Sequence, residues 1–254
     1  MHESGWLGHT HIDLAVCDST NDEAKTLAAR GAAHGTVVTA RCQRAGRGRQ
    51  GRSWYSPDQD NLYYSCVLRP ACAPSEAPPI TLAAGLAVAD AVEAATGQET
   101  GLKWPNDVLL RERKLAGVLT ETSIRGARLE YVIVGIGVNL ATRVFPEELR
   151  GRATSLALEC GHDIDRGHFI ELVNQCAERW FDRLFAHGAR ALVQAWMERA
   201  RSRDHGLGRG VTVDTPAGPL TGRITGLTGD GQLEVTDALG RVHTIAAGVI
   251  EYRD

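Results

Sequence analysis

No stretch of this chain approaches the roughly 18 consecutive apolar residues that a membrane span requires. Its first residues, Met1-His-Glu-Ser-Gly-Trp6, lack the cationic start and apolar run of a secretory signal. Paired cysteines are missing too. The six cysteines lie scattered at 17, 42, 66, 72, 160 and 176, without CxxC or any metal-like spacing, which points to reduced thiols in the cytoplasm. No internal repeat or low-complexity tract is present. Neither sign of charge dominates: a net charge of −3 gives no overall pull toward nucleic acid or an anionic membrane. Lysine is scarce, with only Lys25, Lys103 and Lys114 beside 25 arginines. In such a composition a lysine marks a place that needs a compact ammonium rather than a fork, although Lys25 falls on what reads as ordinary helix surface.

What is there centres on Arg41-Cys-Gln-Arg-Ala-Gly-Arg-Gly-Arg-Gln-Gly-Arg-Ser-Trp54, with five arginines, three glycines and no acid. Glycines 46, 48 and 51 alternate with Arg47, Arg49 and Arg52, so backbone N–H groups can approach a ligand while guanidinium forks stand beside them. So much positive charge cannot be buried without an anion, which predicts a surface loop for a phosphate-containing ligand. Trp54 offers an aromatic face for a ring or base. A mobile linker or a nonspecific nucleic-acid tether has the same composition, but strand-like segments flank the run on both sides. No GK[ST] follows, so it is not a Walker loop.

In chain order, Ile12–Val16 reads as a strand. Ser19, Thr20 and Asn21 read as N-caps of a helix with Asp22 and Glu23 in its first turn, stopped by Gly31. Strands at Thr36–Ala40 and Asn61–Leu68 flank the Arg/Gly loop. A Pro/Ala connector over 71–79 leads to a buried helix over Ile80–Ala95, ended by Gly97. In Lys103-Trp-Pro-Asn-Asp107, Pro105 interrupts pairing and displays Lys103, Trp104, Asn106 and Asp107 at a strand end. Arg113-Lys-Leu-Ala-Gly-Val-Leu119 and the strand-like Val132-Ile-Val-Gly-Ile-Gly-Val-Asn-Leu140 follow. Helices are expected over Thr154–Gly161, Arg166–His187 and Leu192–Arg201, the last running into the charged stretch Arg199–Asp204. After a linker at Gly206–Gly210, the pattern changes to short alternating strands at Val211–Asp214, Leu220–Ile224, Gln232–Val235 and Val242–Ile245, a small β module.

Four of these stretches together resemble biotin–protein ligases (biotin–acetyl-CoA-carboxylase ligases): DSTN at 18–21, GRGRQGRSW at 46–54, KWPND with KLAG at 103–117, and GIGVN at 135–139. They occur in the family's order, and the likeness runs from about Ile12 to the end. It implies an α/β (α+β) fold with a mixed sheet flanked by helices over 1–206 and an SH3-like barrel over 207–254. It also implies two half-reactions. Biotin's carboxylate attacks the α-phosphate of ATP to give biotinyl-5′-AMP, and a lysine of a biotin carboxyl carrier domain then attacks that anhydride. Ser19, Thr20, Asn21, Gln43, Arg47, Gly48, Arg49, Lys114 and Gly117 would bind biotin. Arg49, Arg52, Trp54, Lys103, Asn106 and Asn139 would bind ATP. Lys114, Arg47, Arg49 and Lys103 would be catalytic, and Asp107 would aid Mg²⁺. The loop's charges, having no internal partner at this level of reading, predict mobility until a ligand orders them. Only about ten residues precede the first strand, so the helix-turn-helix of the repressor-type ligases is not expected, nor is DNA or membrane binding; a monomer or weak homodimer is. Two other readings stand beside this one: a lipoate or octanoate ligase of the same fold, whose RRxSGGG-type stretch is absent, and a basic-loop RNA-binding protein.

Overall fold

The computed structural model describes residues 5–200, 206–215, 218–246 and 248–253; the expected charged stretch Arg199–Asp204 falls outside them beyond Ala200. The chain forms a seven-stranded mixed sheet and a five-stranded antiparallel sheet. The larger sheet contains β1 (His11–Cys17), β2 (Val37–Gln43), β3 (Leu62–Leu68), β4 (Gly101–Lys103), β5 (Asp107–Leu110), β6 (Arg113–Arg125) and β7 (Arg128–Val138). Its order is β1-β2-β3-β7-β6-β5-β4, with β1 and β2 parallel and every other neighbour antiparallel.

The helices divide over the two faces as strand alternation dictates. On β7, Val132, Val134, Ile136 and Val138 enter the large core, whereas Ile133 packs with Val38, Val67, Ala24 and Ala28 beneath α1 (Thr20–Ala29). The opposite face is covered by α2 (Pro79–Thr96), itself packed on α4 (Arg166–His187), with the short α3 (Leu156–Cys160) and α5 (Arg190–Arg199) completing the layer. By length and composition α2 would suit a membrane, but two thirds of its apolar window is buried in protein, as befits a core helix. It ends where expected, on Gly97 at φ 68°. Asp90 of α2 accepts from Arg179 and Trp180 of α4 and from Arg199 of α5, tying the three long helices together. α4 spans the expected residues. The helix expected over Thr154–Gly161 is shorter because Ser155 caps it, accepting from Leu158 N at 3.2 Å.

The ten residues of α1 extend about 15 Å, too short to cover its face of the sheet. What it leaves bare is the floor of the site described below.

The second sheet joins β8 (Gly210–Thr215), β9 (Gly218–Leu227), β10 (Leu233–Thr236), β11 (Val242–Ile245) and β12 (Ile250–Arg253), in the order β11-β10-β9-β8-β12. The sequence showed four of these strands. β12, with the unpatterned Ile-Glu-Tyr-Arg, is defined by its ladder to β8. Val211, Val213, Ile224, Leu233, Val235 and Ile245 belong to the same continuous core as the large sheet. Trp104 is part of the join. It was expected at the surface, but it is 4% exposed, and its indole Nε1 donates to Gly231 O at 3.0 Å in the turn between β9 and β10. An indole of that area is better placed between two sheets than in water. Trp104→Phe removes the bond while keeping most of the apolar bulk. It should lower stability by about 1 kcal/mol, read as a smaller midpoint in urea with an unchanged slope; an unchanged midpoint would show that the bond carries no weight in the join.

Candidate active site

Beside α1 the sheet face carries glycine where a core face would carry apolar side chains. Register sets Gly135 of β7 opposite Ser65 and Leu119, and Gly137 opposite Tyr63 and Gly117. All share Ile133's face. Here the sheet is hollowed, and a cavity of about 190 Å³ opens. A Cβ on Gly137 would lie 2.5 Å from the Trp54 indole, and one on Gly135 would lie 2.1 Å from Asn21 Oδ1. These are close approaches that only glycine permits.

Of the residues singled out in the sequence, Ser19, Thr20, Asn21, Gln43, Arg47, Gly48, Arg49, Arg52, Trp54, Lys103, Asn106, Asp107, Lys114 and Gly117 all line this cavity. Asn139 does not. It is 5% exposed, its Nδ2 donates to Thr154 O at 3.0 Å and its backbone N–H to Leu115 O at 3.0 Å. Thr154 N in turn donates to Lys114 O, and Lys114 N to Arg152 O. In this structure Asn139 braces the backbone that carries Lys114 rather than facing the cavity.

One end of the cavity is a closed polar network. Gln43 Oε1 accepts from Thr20 N (2.9 Å) and from Thr20 Oγ1 (3.2 Å), while Gln43 Nε2 donates to Ser56 Oγ (2.9 Å), which donates to Trp54 O (3.0 Å). Ser65 Oγ lies 2.8 Å from Thr20 Oγ1 and 2.6 Å from Asn21 Oδ1. Ser19 is the N-cap of α1 but makes no side-chain cap bond, so helix capping does not occupy its hydroxyl. Ser65 and Ser56 are not among the residues that the sequence motifs mark. The signal for Ser65 was available: a serine inside the fully buried run Leu62–Leu68 must find a partner.

The Arg/Gly loop is folded onto this end, and the expectation that its charges lack internal partners is corrected. Arg47 Nη2 reaches Asp22 Oδ1 at 2.6 Å and Glu121 Oε2 at 3.1 Å, Arg44 pairs with Asp18, and Arg41 with Asp60. The carboxylates come from α1, β6 and flanking turns, remote in sequence from the arginines they meet. Gly48 N donates to Arg52 O and Trp54 N to Gly46 O, closing the loop into a small hairpin whose tip has Gln50 at φ 55°. Lys25, read as helix surface, lies 2.5 Å from Glu121 Oε1. Burial acts to raise the Glu121 carboxyl, but hydrogen bonds from Lys25 and Asn21 and the charges of Lys25 and Arg47 outweigh it and hold it below the usual range.

The other end gathers cations. Lys114 Nζ lies 2.6 Å from Asp107 Oδ1 and 5.3 Å from the centre of a Trp54 ring. Arg49 Nη1 donates to Asn106 Oδ1 at 3.2 Å, and Asn106 Nδ2 donates to Val118 O. Lys103 Nζ stands 4.7 Å over the Tyr252 ring of β12, and Gly248, Val249 and Ile250 add a wall from the second sheet. Burial lowers the Lys103 ammonium's pKa, the Asp107 charge opposes that, and nearby Lys114, Arg152 and Arg52 reinforce it. The Trp54 indole N–H is buried with no acceptor among the described residues, a donor that a ligand can satisfy. No group of three His, Cys, Asp or Glu side chains able to hold a metal occurs among the described residues. Asp107 is the one carboxylate among the described residues that line this cavity, and it is paired with Lys114.

The mixed sheet carries a glycine-floored cavity, polar at one end and cationic at the other and backed by a small antiparallel sheet, which suits an anionic ligand. The chain belongs to the Biotin/lipoate A/B protein ligase family, whose pattern matches residues 14–139, while the biotin protein ligase C-terminal domain pattern matches residues 206–253. It is 38% identical over 241 residues to the biotin–[acetyl-CoA-carboxylase] ligase of Paracoccus denitrificans, covering 93% of this chain and 98% of that one. It is 35% identical to the bifunctional ligase/repressor BirA of Bacillus spizizenii, covering 94% of this chain and 73% of the relative. Among solved structures, the biotin protein ligase of Aquifex aeolicus in complex with biotin and ATP superposes with a TM-score of 0.81 at 31% identity, covering 96% of this chain and 99% of that one.

The floor yields a test. Gly137→Ala should displace the Trp54 indole, shift its fluorescence and weaken ligand binding at least tenfold by titration, with little loss of helix content. Parent-like binding would show that the indole has room to move.

Proposed function

We propose that this chain is a cytoplasmic ATP-dependent biotin–protein ligase that forms biotinyl-5′-AMP and passes biotin to a lysine of a biotin carboxyl carrier domain. The observation that carries the reading is the two-ended cavity: a fixed donor–acceptor network across a glycine floor from Lys114, Lys103, Arg49 and Arg52. Biotin is apolar apart from its ureido edge and its carboxylate. The edge suits the Ser19, Thr20 and Gln43 end, and the carboxylate would reach toward Lys114.

A carboxylate and a triphosphate repel each other, so the first step needs cations pre-set around both. Lys114, held over the Trp54 ring and braced through Thr154 and Asn139, would neutralise the carboxylate oxygen as it forms a bond to the α-phosphorus. The bond from that phosphorus to the β-bridging oxygen breaks, and pyrophosphate leaves toward Lys103, Arg49 and Arg52. Asp107 would hold a magnesium ion brought by the nucleotide, and that ion would supply further charge neutralisation. Trp54 and Asn106 line the side where adenine would lie. In the second step the carrier's neutral lysine amine attacks the acyl carbon, its proton is lost, the C–O bond to AMP breaks and an amide forms. The folded loop excludes water from the anhydride between the two steps.

The direct test is exchange of labelled pyrophosphate into ATP, dependent on biotin and not supported by lipoate or octanoate, followed by labelling of a carrier domain. Exchange that requires lipoate instead would move the chain to the other branch of its family. Lys114→Ala should cut exchange by two orders of magnitude or more with a near-parent unfolding midpoint, since its side chain is 35% exposed. A folded variant with parent-rate exchange would remove Lys114 from the chemistry. Lys103 carries a pH signature. Its depressed ammonium serves the reaction while protonated, so exchange should fall as pH rises through a value below that of an ordinary lysine. Lys103→Arg, which stays charged, should carry that alkaline limb to higher pH; superimposable limbs would exclude Lys103 as its source.

A further inference from the structure

One carboxylate touches both sides of the cavity's polar end. Glu121 lies on β6 in register with Ile133, facing the site, with its side chain 24% exposed. Its Oε2 accepts from Asn21 Nδ2 at 2.7 Å and from Arg47 Nη2 at 3.1 Å, and its Oε1 accepts from Lys25 Nζ at 2.5 Å. The three partners come from the start of α1, the Arg/Gly loop and the middle of α1. We propose that Glu121 is a positioning residue for ligand binding, setting the Asn21 amide beneath the head-group end and anchoring Arg47 of the loop above it.

Hydrogen-bond arithmetic supports the first half. An ionised carboxylate only accepts, so it obliges Asn21 to present its NH₂ toward β6 and its carbonyl oxygen toward Ser65. Nδ2 spends its second hydrogen on Leu119 O at 3.3 Å, and Oδ1 takes the 2.6 Å contact with Ser65 Oγ. The amide is thus locked in one orientation, with a single lone pair left over. If Asn21 flipped, an oxygen would face Glu121, and two acceptors would oppose each other in a part-buried site.

Charge supports the second half. Asp22 and Glu121 face Lys25 and Arg47 in a balanced quartet, with Arg47 bonded to both acids and Lys25 within 3.8 Å of Asp22. Arg47 therefore has a place over the pocket before any ligand arrives. Lys25 keeps Glu121 neutralised when Arg47 turns to an incoming anion, so the loop can exchange partners without stranding a carboxylate.

That biotin is the ligand rests on the function proposed above; the anchoring itself does not, and two readouts separate them. Trypsin cleavage after Arg47 and Arg49 in ligand-free protein reports the anchor alone. Glu121→Gln should speed it at least fivefold. Lys25→Met, which deletes the shorter of Glu121's two ion pairs but leaves the Asn21 and Arg47 contacts, should leave it within twofold. In pyrophosphate exchange, Glu121→Gln should raise the biotin KM at least tenfold while kcat stays within threefold, because the cationic end is untouched. If Glu121→Gln folds poorly, the apolar pair Lys25→Met with Glu121→Met removes both charges together and should show the same two effects. Parent-rate cleavage in either Glu121 variant would overturn the anchoring, and an unchanged biotin KM would overturn the role in binding. Absence of exchange in the parent protein would instead sink the proposed function and leave the cleavage result to decide the anchor.

Discussion

The whole site depends on missing side chains. Strand alternation sends residues 133, 135 and 137 to one face of β7, and only the first of them carries bulk. Were 135 and 137 valines, α1's small core would continue across the face, Trp54 would have nowhere to lie, and no cavity would separate Gln43 from Lys114. Gly117, in register with Gly137 on the neighbouring strand, widens the hollow across two strands. Backbone hydrogen bonding keeps this floor rigid although it has no side chains of its own to pack.

Above the floor the governing quantity is charge balance. Arg47, Arg49, Arg52, Lys103 and Lys114 converge within one small cavity, and four of them have a local arrangement that makes their presence tolerable without ligand. Arg47 meets two carboxylates, Lys114 meets Asp107, Arg49 meets an amide oxygen, and Lys103 meets an aromatic face. These partners differ in strength. Arg47 and Lys114 start in close ion pairs and must exchange one anion for another, whereas Arg49 and Lys103 make no close ion pair of this kind and feel the Asp107 charge beside an amide dipole and an aromatic face respectively.

The sequence made the site far more legible than its supports. Most cavity-lining residues fall in four compact stretches whose joint order resembles one family, while Gln43, Tyr63, Tyr64 and 248–250 lie outside them. Glu121, Ser65 and Tyr252 act from strands where a lone polar or aromatic residue looks like ordinary alternation, and their partners are distant in sequence. Asn139, assigned to the nucleotide through the family resemblance, lies outside the cavity lining in this structure, its amide bonded to Thr154 O and its backbone to Leu115 and Leu156. Helices were located well, since apolar spacing and a glycine stop are local facts. β12 was not, because its only evidence is the ladder to β8. The loop's anchorage was invisible for the same reason that long-range ion pairs generally are: attraction between 47 and 121 leaves no trace in either neighbourhood.

Lys103 and Trp104 are consecutive, yet they are held by different parts of the small sheet, one over the Tyr252 ring of β12 and the other by the carbonyl of Gly231 in the β9–β10 turn. Two adjacent fixings, one on a strand and one on a turn, behave as a two-point mount. They resist rotation as well as translation, so any slip of one sheet across the other must twist the short segment between β4 and β5. Together with its flanking strand ends, residues 103–107, it brings an ammonium, an asparagine and an aspartate to the cavity. The small sheet thereby acts as a mechanical reference for the angle of the cationic wall, and a substitution far out on β12 would be felt as misalignment of charge rather than as loss of a contact.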